Sequence, residues 1–376
     1  MYGLYLIGFV VACAIALLLT PLVKRFAFRV GAVDAPNERK VHSRIMPRLG
    51  GLAIFLAFVG AYFVISPVLD SYNPEAGLAL LLGGGVVVLT GALDDRFQIS
   101  PRYKLLGQLI AAIIVVSFGL VIDLSSLPFI GEYIGHSDWI SIPVTILWII
   151  GVSNAINLID GLDGLSAGVS GIATTTILVL AIIIPSSTGV TVALLSVILL
   201  GAIVGFLFYN IHPAKIFMGD SGSLFLGFAL ATLSILGFKQ ATVVSLIIPI
   251  LILGVPLSDT AFAILRRIVN KTPISAPDKS HLHHCFLQLG FSHRATVWII
   301  YGISCVFALS AIVCSILLAQ STQWGTAVII ALLLAVIVLG AEAIGLISKS
   351  RKPVLNLLQR LFSKQVSKPD QITKSN

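Results

Sequence analysis

The sequence predicts an all-α, polytopic integral membrane protein with about 11 transmembrane helices. Of its 376 residues, 57% are hydrophobic and only 11% are charged, whereas roughly 25% of the residues of an ordinary soluble domain are charged. The apolar residues form blocks of about 17 to 25, the length that a helix needs to cross the hydrocarbon core of a bilayer. A soluble fold is excluded, because the chain has too few charged residues to cover its surface.

The positions of the basic residues predict how the chain crosses the membrane. The predicted spans are 3–23, 49–67, 77–93, 104–122, 139–158, 165–184, 189–209, 221–238, 242–265, 296–318 and 325–348. No Lys or Arg precedes the first span and three directly follow it, which predicts an outer N-terminus and a cytoplasmic C-terminus. Every Lys and Arg except Lys239 then lies on the cytoplasmic side. Membrane topology thus explains the net charge of +8, and no nucleic acid is needed as a partner.

The chain divides into one large domain and a short tail. Residues 1–348 are predicted to form a single transmembrane domain with functional loops on the cytoplasmic side, and residues 349–376 a basic cytoplasmic tail. Apolar residues recur at near-helical spacing between Val354 and Phe362. This spacing predicts a short amphipathic helix on the inner membrane surface.

Two adjacent carboxylates, Asp94 and Asp95, follow the third span, and Lys104 lies nine residues later. Carboxylates near a membrane core are costly, so those that are retained usually have a function. Two neighbouring carboxylates suit either a proton acceptor or a bound divalent cation, and a lysine can hold an anionic group as a point charge. The alternative interpretation is a solvated pair that ends a span, with a lysine that serves only the topology.

Polar residues recur at every third position of the segment 148–168, at Asn154, Asn157, Asp160 and Asp163. This spacing keeps them roughly on one face, and the glycines between them let the backbone approach a ligand. Oxygen donors of this kind suit Mg²⁺. In the alternative interpretation the asparagines bond to neighbouring helices and the aspartates cap the sixth span.

Asp220 precedes a Ser-Gly-Ser sequence and an apolar run, which predicts a helix N-terminus. Backbone N–H groups there favour a phosphate, and a metal bound by Asp220 would meet that phosphate. The alternative is a simple N-cap. The same segment, 206–227, contains Asn210.

Two further segments on the predicted cytoplasmic side are rich in cationic residues. The loop 266–294 contains His281, His283 and His284, which suit donors to a sugar diphosphate better than a zinc site, since a thiol or a second histidine cluster is missing. The alternative interpretation is an exposed basic loop. Asp259 either supports this site or pairs with an arginine. The segment 38–51 holds basic residues that either bind lipid phosphate or serve only the topology; they are Arg39, Lys40, His42, Arg44 and Arg48.

Six motifs occur in one order along nearly the whole chain: PRLGG, LDDRFQIS, NAINLIDGLDGL, HPAKIFMGDSGSL, GVPLSDTAFAILRR and APDKSHLHH. Together they resemble the polyprenyl-phosphate N-acetylhexosamine-1-phosphate transferase family. The HLHH motif and the preceding Arg pair look like the branch that uses UDP-N-acetylglucosamine, and the chain is similar to the teichoic-acid linkage-unit enzymes of that branch. The resemblance implies transfer of N-acetylglucosamine 1-phosphate to undecaprenyl phosphate, with release of UMP, as the first step of a cell-wall polymer.

The resemblance also implies roles for individual residues. Mg²⁺, with Mn²⁺ as an alternative, would be held by Asn157 and Asp220. Asp94 or Asp95 would deprotonate or orient the lipid phosphate, and Asp160 would support the metal or the nucleotide. The implied substrate-binding residues are Lys40, Arg48, Lys104, Asn154, Asp163 (at the uracil), Asn210, Arg266, His281, His283 and His284.

The implied partners are UDP-N-acetylglucosamine, undecaprenyl phosphate and the lipid bilayer, and a homodimer is left open. The expected location is the bacterial cell membrane, with the active site on its cytoplasmic face. Two alternatives remain: the same chemistry with another UDP-N-acetylhexosamine, and a lipid-carrier or nucleotide-sugar transporter. A transporter is less favoured, because its ionisable residues are expected near the bilayer midplane.

Overall fold

In the computed structural model the protein is a bundle of α-helices. The structure describes residues 2–34, 45–69, 72–124, 138–184, 186–238, 244–269 and 281–319, and the single residues 271, 273, 325, 328, 331, 332 and 335. The helices are α1 (Tyr2–Val30), α2 (Gly50–Ile65), α3 (Pro74–Phe97), α4 (Pro101–Ser117), α5 (Asp138–Ile159), α6 (Leu165–Ile183), α7 (Gly189–Asn210), α8 (Gly219–Phe238), α9 (Val244–Ile252), α10 (Gly254–Val269), α11 (Leu282–Gln288) and α12 (His293–Ala319). A 3-10 turn, Ser66–Val68, follows α2. Two short strands, β1 (Val33–Asp34) and β2 (Met46–Pro47), pair antiparallel before α2.

Eight helical segments of the described chain are long and apolar enough to cross a membrane. They are Tyr2–Val30, Gly50–Val68, Pro74–Phe97, Asp138–Ile159, Leu165–Ile183, Gly189–Asn210, Gly219–Gly237 and His293–Leu317. The prediction of an all-helical, polytopic membrane protein is confirmed. The predicted span 104–122 corresponds to α4, which has 17 residues. The predicted span 325–348 lies largely outside the described residues, and the tail 349–376 lies wholly outside them.

The predicted span 242–265 is a kinked pair of helices rather than one straight helix. α9 ends at Ile252 and α10 begins at Gly254, with Leu253 between them. Pro256 has no N–H to donate to the carbonyl of Ile252, and a proline ring clashes with the carbonyl four residues earlier. The kink therefore has a local cause in the sequence.

Helix α8 lies at the centre of the bundle, packed against α2, α3, α5 and α6. Its N-terminal turn touches neighbouring backbones directly. A Cβ atom on Gly51 of α2 would lie 2.0 Å from the backbone nitrogen of Gly222, and a Cβ atom on Gly91 of α3 would lie 2.4 Å from the Cα atom of Ser221. Small residues allow such close approach between membrane helices, so these two glycines fix the position of the start of α8.

The ends of α3, α5 and α7 lie at the same end of the bundle as the starts of α4, α6 and α8. Hydrogen bonds join these ends to one another. The turn from α3 to α4 is short because Gln98 adopts a left-handed conformation at the C-cap and Pro101 starts the next helix. Every described residue of the predicted site lies in or next to this end.

Candidate active site

Lys104 connects two carboxylates that belong to other helices. Its Nζ atom donates to Oδ2 of Asp94 at 3.2 Å and to Oδ2 of Asp220 at 2.9 Å. Asp94 belongs to the last turn of α3 and Asp220 to the first turn of α8. The side chains of Asp94 and Asp220 are 11% and 13% exposed to solvent, so a ligand can reach them. Asp94 and Lys104 therefore lie at one site with Asp220, which is far from them in the sequence, as expected.

Asp95 caps the N-terminus of α8 from a different helix. Its Oδ1 atom accepts the backbone N–H of Asp220 at 2.8 Å, and its Oδ2 atom accepts the backbone N–H of Ser221 at 3.1 Å and the hydroxyl of Ser221 at 2.8 Å. The side chain is fully buried, with 0% exposure. Protein donors thus engage both oxygens, which gives Asp95 a structural task. The catalytic role predicted for it stays a prediction.

Arg48, just before α2, supplies a second positive charge to this cluster. Its Nε atom lies 3.5 Å from Oδ1 of Asp95, and its Nη2 atom lies 3.9 Å from Oδ1 of Asp220. Burial alone would lower the pKa of Arg48, but the negative charges of Asp95 and Asp220 outweigh burial and leave the pKa raised. Arg48 therefore carries a charge at the site. Lys40, its predicted partner at a lipid phosphate, lies outside the described residues.

The two asparagines of α5 have different neighbours. Asn157 donates from Nδ2 to the hydroxyl oxygen of Ser223 at 2.8 Å, one turn after Asp220. Because this bond uses the amide nitrogen, the oxygen is the atom that Asn157 can offer to a metal. Asn154 instead donates to Oε1 of Gln108 at 2.7 Å, which joins α5 to α4. Its predicted substrate contact stays a prediction.

Asp160, in the loop after α5, lies where burial and a nearby carboxylate disfavour its charged form. Burial, followed by the negative charge of Asp220, raises the pKa of Asp160 to about 8. Arg48 acts in the opposite direction but does not outweigh these causes. A divalent cation beside Asp220 would favour the charged form of Asp160.

Asp163 and Asn210 tie together two loops of the site. Oδ2 of Asp163 accepts the backbone N–H of Ala214 at 3.1 Å and lies 2.8 Å from Nδ1 of His212. Oδ1 of Asn210 accepts the backbone N–H of Gly164 at 3.1 Å. The loop after α5 and the loop after α7 are thus held in one arrangement. Contacts of Asp163 with a uracil and of Asn210 with a substrate stay predictions.

The predicted histidine cluster packs against the loop of Asp160. The His281 and His283 rings are nearly parallel with centroids 6.1 Å apart, and the His283 and His284 rings are 4.2 Å apart. A Cβ atom on Gly161 would lie only 2.2 Å from Nε2 of His283, so a larger residue there would have to displace the His283 ring. Burial and the neighbouring His284 lower the pKa of His283 to about 4, so its ring is neutral.

Arg266 lies in the last turn of α10. Its predicted contact with a substrate diphosphate stays a prediction.

Comparison with known proteins agrees with this arrangement. The family model described as glycosyl transferase family 4 matches residues 77–238, the stretch from α3 to α8. The chain is 47% identical over 361 residues to the Bacillus subtilis (strain 168) protein named "Probable undecaprenyl-phosphate N-acetylglucosaminyl 1-phosphate transferase", covering 95% of this chain and 97% of that protein. The chain belongs to glycosyl transferase family 4.

Two further proteins that are similar in sequence to this glycosyl transferase carry related names. The "Decaprenyl-phosphate N-acetylglucosaminephosphotransferase" of Mycobacterium tuberculosis (strain H37Rv) is 38% identical over 312 residues, 77% of each chain. The "Undecaprenyl-phosphate alpha-N-acetylglucosaminyl 1-phosphate transferase" of Escherichia coli (strain K12) is 30% identical over 280 residues, 72% of this chain and 73% of that protein. The family resemblance seen in the six motifs is confirmed, and the chain is an enzyme.

The donor atoms of the transferase fit a hard divalent cation at Asp220. Carboxylate oxygens and the Asn157 amide oxygen are the ligands that Mg²⁺ prefers. Asp163, His212 and His293 also offer ligand atoms within 4.8 Å of one another. That group is rich in nitrogen, which suits transition metals rather than Mg²⁺, and its carboxylate already serves Ala214.

One residue of the transferase site, His212, escaped the sequence analysis. It contacts Asp163, as described above, but it lies in a loop motif whose fold is not visible from spacing. For Asp259 the sequence analysis left open whether it supports the site or pairs with an arginine, and the structure shows it 2.9 Å from Nδ1 of His281. The cost of a carboxylate inside a predicted span indicates that Asp259 needs a partner, but not which residue it is.

Proposed function

We propose that this transferase moves N-acetylglucosamine 1-phosphate from UDP-N-acetylglucosamine to undecaprenyl phosphate. An oxygen of the lipid phosphate attacks the phosphorus that carries the sugar, the bond from that phosphorus to the UMP oxygen breaks, and UMP leaves. The product is a lipid-linked diphosphate sugar that starts a cell-wall polymer such as a teichoic acid. The observation that carries the proposal is the cluster of Asp94, Lys104 and Asp220, which three helices bring together within the stretch that the family model matches.

Residues of the chain bind the two substrates, orient them and neutralise the charge of their phosphates. Lys104 and Arg48 hold the negatively charged phosphates of the two substrates. Asp94, the more exposed member of the aspartate pair, orients or deprotonates the lipid phosphate. His281, His283, His284 and Arg266 serve the sugar diphosphate, and Asp163 serves the uracil. Phosphoryl transfer depends mainly on positioning and charge neutralisation, which this set of residues can supply.

Asp220 and Asn157 would hold Mg²⁺, or Mn²⁺ in its place, with Asp160 in support. When bound, the ion neutralises charge on the diphosphate. Asn157 bonds to Ser223, one turn after Asp220, and this proximity of two oxygen donors supports the proposal.

The proposed setting is the bacterial cell membrane with the active site on its cytoplasmic face. Eleven spans, an outer N-terminus and a cytoplasmic C-terminus follow from the distribution of Lys and Arg. The donor is a soluble nucleotide sugar, which supports a site open to the cytoplasm. The homodimer stays a prediction.

The test uses the purified full-length protein in detergent with UDP-N-acetylglucosamine, undecaprenyl phosphate and Mg²⁺. UMP should be released only when the lipid and the metal are both present. Asp94→Asn should lower turnover by roughly a hundredfold or more if it acts as a general base. Glu75→Gln is the matched control, because Glu75 is exposed in the first turn of the same helix, and it should retain full activity. UMP release that does not depend on the lipid would overturn the proposal.

The alternatives are outcomes of the same assay. Competing UDP-N-acetylhexosamines identify the donor, and a preference for another sugar would keep the chemistry but change the substrate. Movement of lipid or nucleotide sugar across proteoliposomes without UMP release would support a transporter and contradict the enzyme.

A further inference from the structure

A buried carboxylate–histidine pair lies behind the histidine cluster. Oδ2 of Asp259, on α10, lies 2.9 Å from Nδ1 of His281. Oδ1 of the same carboxylate accepts the backbone N–H of Leu282 at 2.8 Å. Each of the two side chains keeps only 7% of its exposure. Asp259 therefore serves the last residue before α11 and the first residue of that helix together.

We propose that Asp259 is a positioning residue that fixes the ring orientation and the tautomer of His281, so that Nε2 of His281 faces the diphosphate of the nucleotide-sugar donor and donates to it when the ring is charged. This inference rests on the proposed function for the identity of the donor. Asp259 itself touches no substrate and acts through His281.

The chemistry of the pair determines which ring nitrogen carries the proton. An ionised carboxylate can only accept hydrogen bonds, so Nδ1 of His281 must donate. In the neutral ring Nε2 is then unprotonated and cannot donate to a phosphate oxygen. In the charged ring the Nε2–H group is a second donor, which a phosphate oxygen can accept. A carboxylate behind a functional histidine is the usual means by which proteins set this choice.

The pair also sets the position of the whole cluster. Asp259 holds the start of α11, the His281 ring lies parallel to the His283 ring, and His283 packs on Gly161 next to Asp160. His281 follows Asp259 by 22 positions in the sequence. Asp259 therefore connects α10, through His281 and His283, to the loop after α5 that holds Asp160 and Gly161.

A purely structural role is the competing explanation. Asp259 could serve only to cap α11, in which case any residue that accepts from Leu282 would suffice. Asp259→Asn separates the two roles, because the amide oxygen can still accept that N–H but the amide lacks the charge that holds Nδ1–H of His281. Structural and positioning roles thus predict different results for the same variant.

The kinetic test is a double-mutant cycle with Asp259→Asn and His281→Gln. If Asp259 acts through His281, Asp259→Asn should lower kcat/KM for UDP-N-acetylglucosamine by roughly ten- to a hundredfold and should have almost no further effect in the His281→Gln background. The KM for undecaprenyl phosphate should change little. Equal losses in both backgrounds would overturn the proposal. Asp138→Asn, an exposed Asp at the N-terminal end of α5, is the matched control and should behave like the wild type.

A second test does not depend on activity. In protein labelled with [¹⁵N]histidine and held at about pH 8.5, well above the usual histidine pKa, NMR should show His281 with a protonated Nδ1 and an unprotonated Nε2. The His281→Gln spectrum assigns the signals. The opposite tautomer in the wild type would contradict the inference even if Asp259→Asn does not fold. A wild-type protein that fails to release UMP would instead contradict the proposed function, while the tautomer result would stand.

Discussion

The adjacent carboxylates Asp94 and Asp95 should respond differently to the same substitution. Asp95→Ala should destabilise the protein strongly, whereas Asp94→Ala should abolish turnover with a much smaller change in stability. The reason is their surroundings. Asp95 is fully buried and accepts three hydrogen bonds from Asp220 and Ser221, while Asp94 keeps part of its exposure and contacts Lys104.

The expected loss of stability for Asp95→Ala follows from the groups left behind. The Ser221 hydroxyl can turn to the carbonyl of Met218, 3.5 Å away, but the backbone N–H groups of Asp220 and Ser221 lose their acceptor. Each buried donor without a partner costs about 1–3 kcal/mol. Arg48 also loses a negative neighbour, so the total should reach about 3–5 kcal/mol, as for other buried charged pairs that lose one member.

The assay is thermal unfolding of the purified variants in detergent, measured together with UMP release. Asp95→Asn should fall between Asp95→Ala and the wild type, since the amide oxygen can replace one acceptor. An Asp95→Ala protein that melts at the wild-type temperature would refute the capping role. An Asp94→Ala protein that melts much lower than Asp95→Ala would refute the division of tasks.

Four further predictions follow from the described contacts. Asp220→Asn should abolish UMP release while preserving the melting temperature, and near-normal turnover in saturating Mg²⁺ would contradict the metal assignment. Gly161→Ala should lower activity, because its Cβ would lie 2.2 Å from the His283 ring; full activity would show that the contact is dispensable. The protein should lose about 3 kcal/mol of stability through His283 as the pH falls from 6.5 toward 4. The reason is that the pKa of His283 is lowered from 6.5 to about 4 in the folded protein, so the unfolded chain binds the proton first. A His283→Gln protein should show a smaller loss of melting temperature over this pH range, and an identical loss would contradict the prediction. Glu75→Gln should leave kcat and KM unchanged, and a severe loss would place Glu75 at the active site.

The helices were predictable because crossing a bilayer imposes a length on each apolar block. α1, α2, α5 and α7 match their predicted spans within several residues. The kink between α9 and α10 was missed although Pro256 was visible in the sequence, because hydropathy does not register a missing backbone N–H.

The sequence predicted which residues form the site, but not which role each of them has. Asp94 and Asp95 are neighbours in sequence, and only the placement of α8 shows which of them is engaged by backbone donors. The partner of Asn154 is Gln108 on another helix, a pairing that no spacing reveals. Asp259 and His281 are 22 positions apart in the sequence, so the sequence could indicate that a buried carboxylate needs a partner but not which residue supplies it.

Helices α8 and α11 both have their first N–H groups capped by an aspartate from another helix. Asp95 serves α8 and Asp259 serves α11. A buried N–H group without an acceptor is costly, so these helix starts reach their final form only after the partner helix has docked. Assembly of the reactive centre should therefore come late in biogenesis, after the membrane segments have been inserted one by one and have found each other, so that an incompletely assembled chain would lack a working centre.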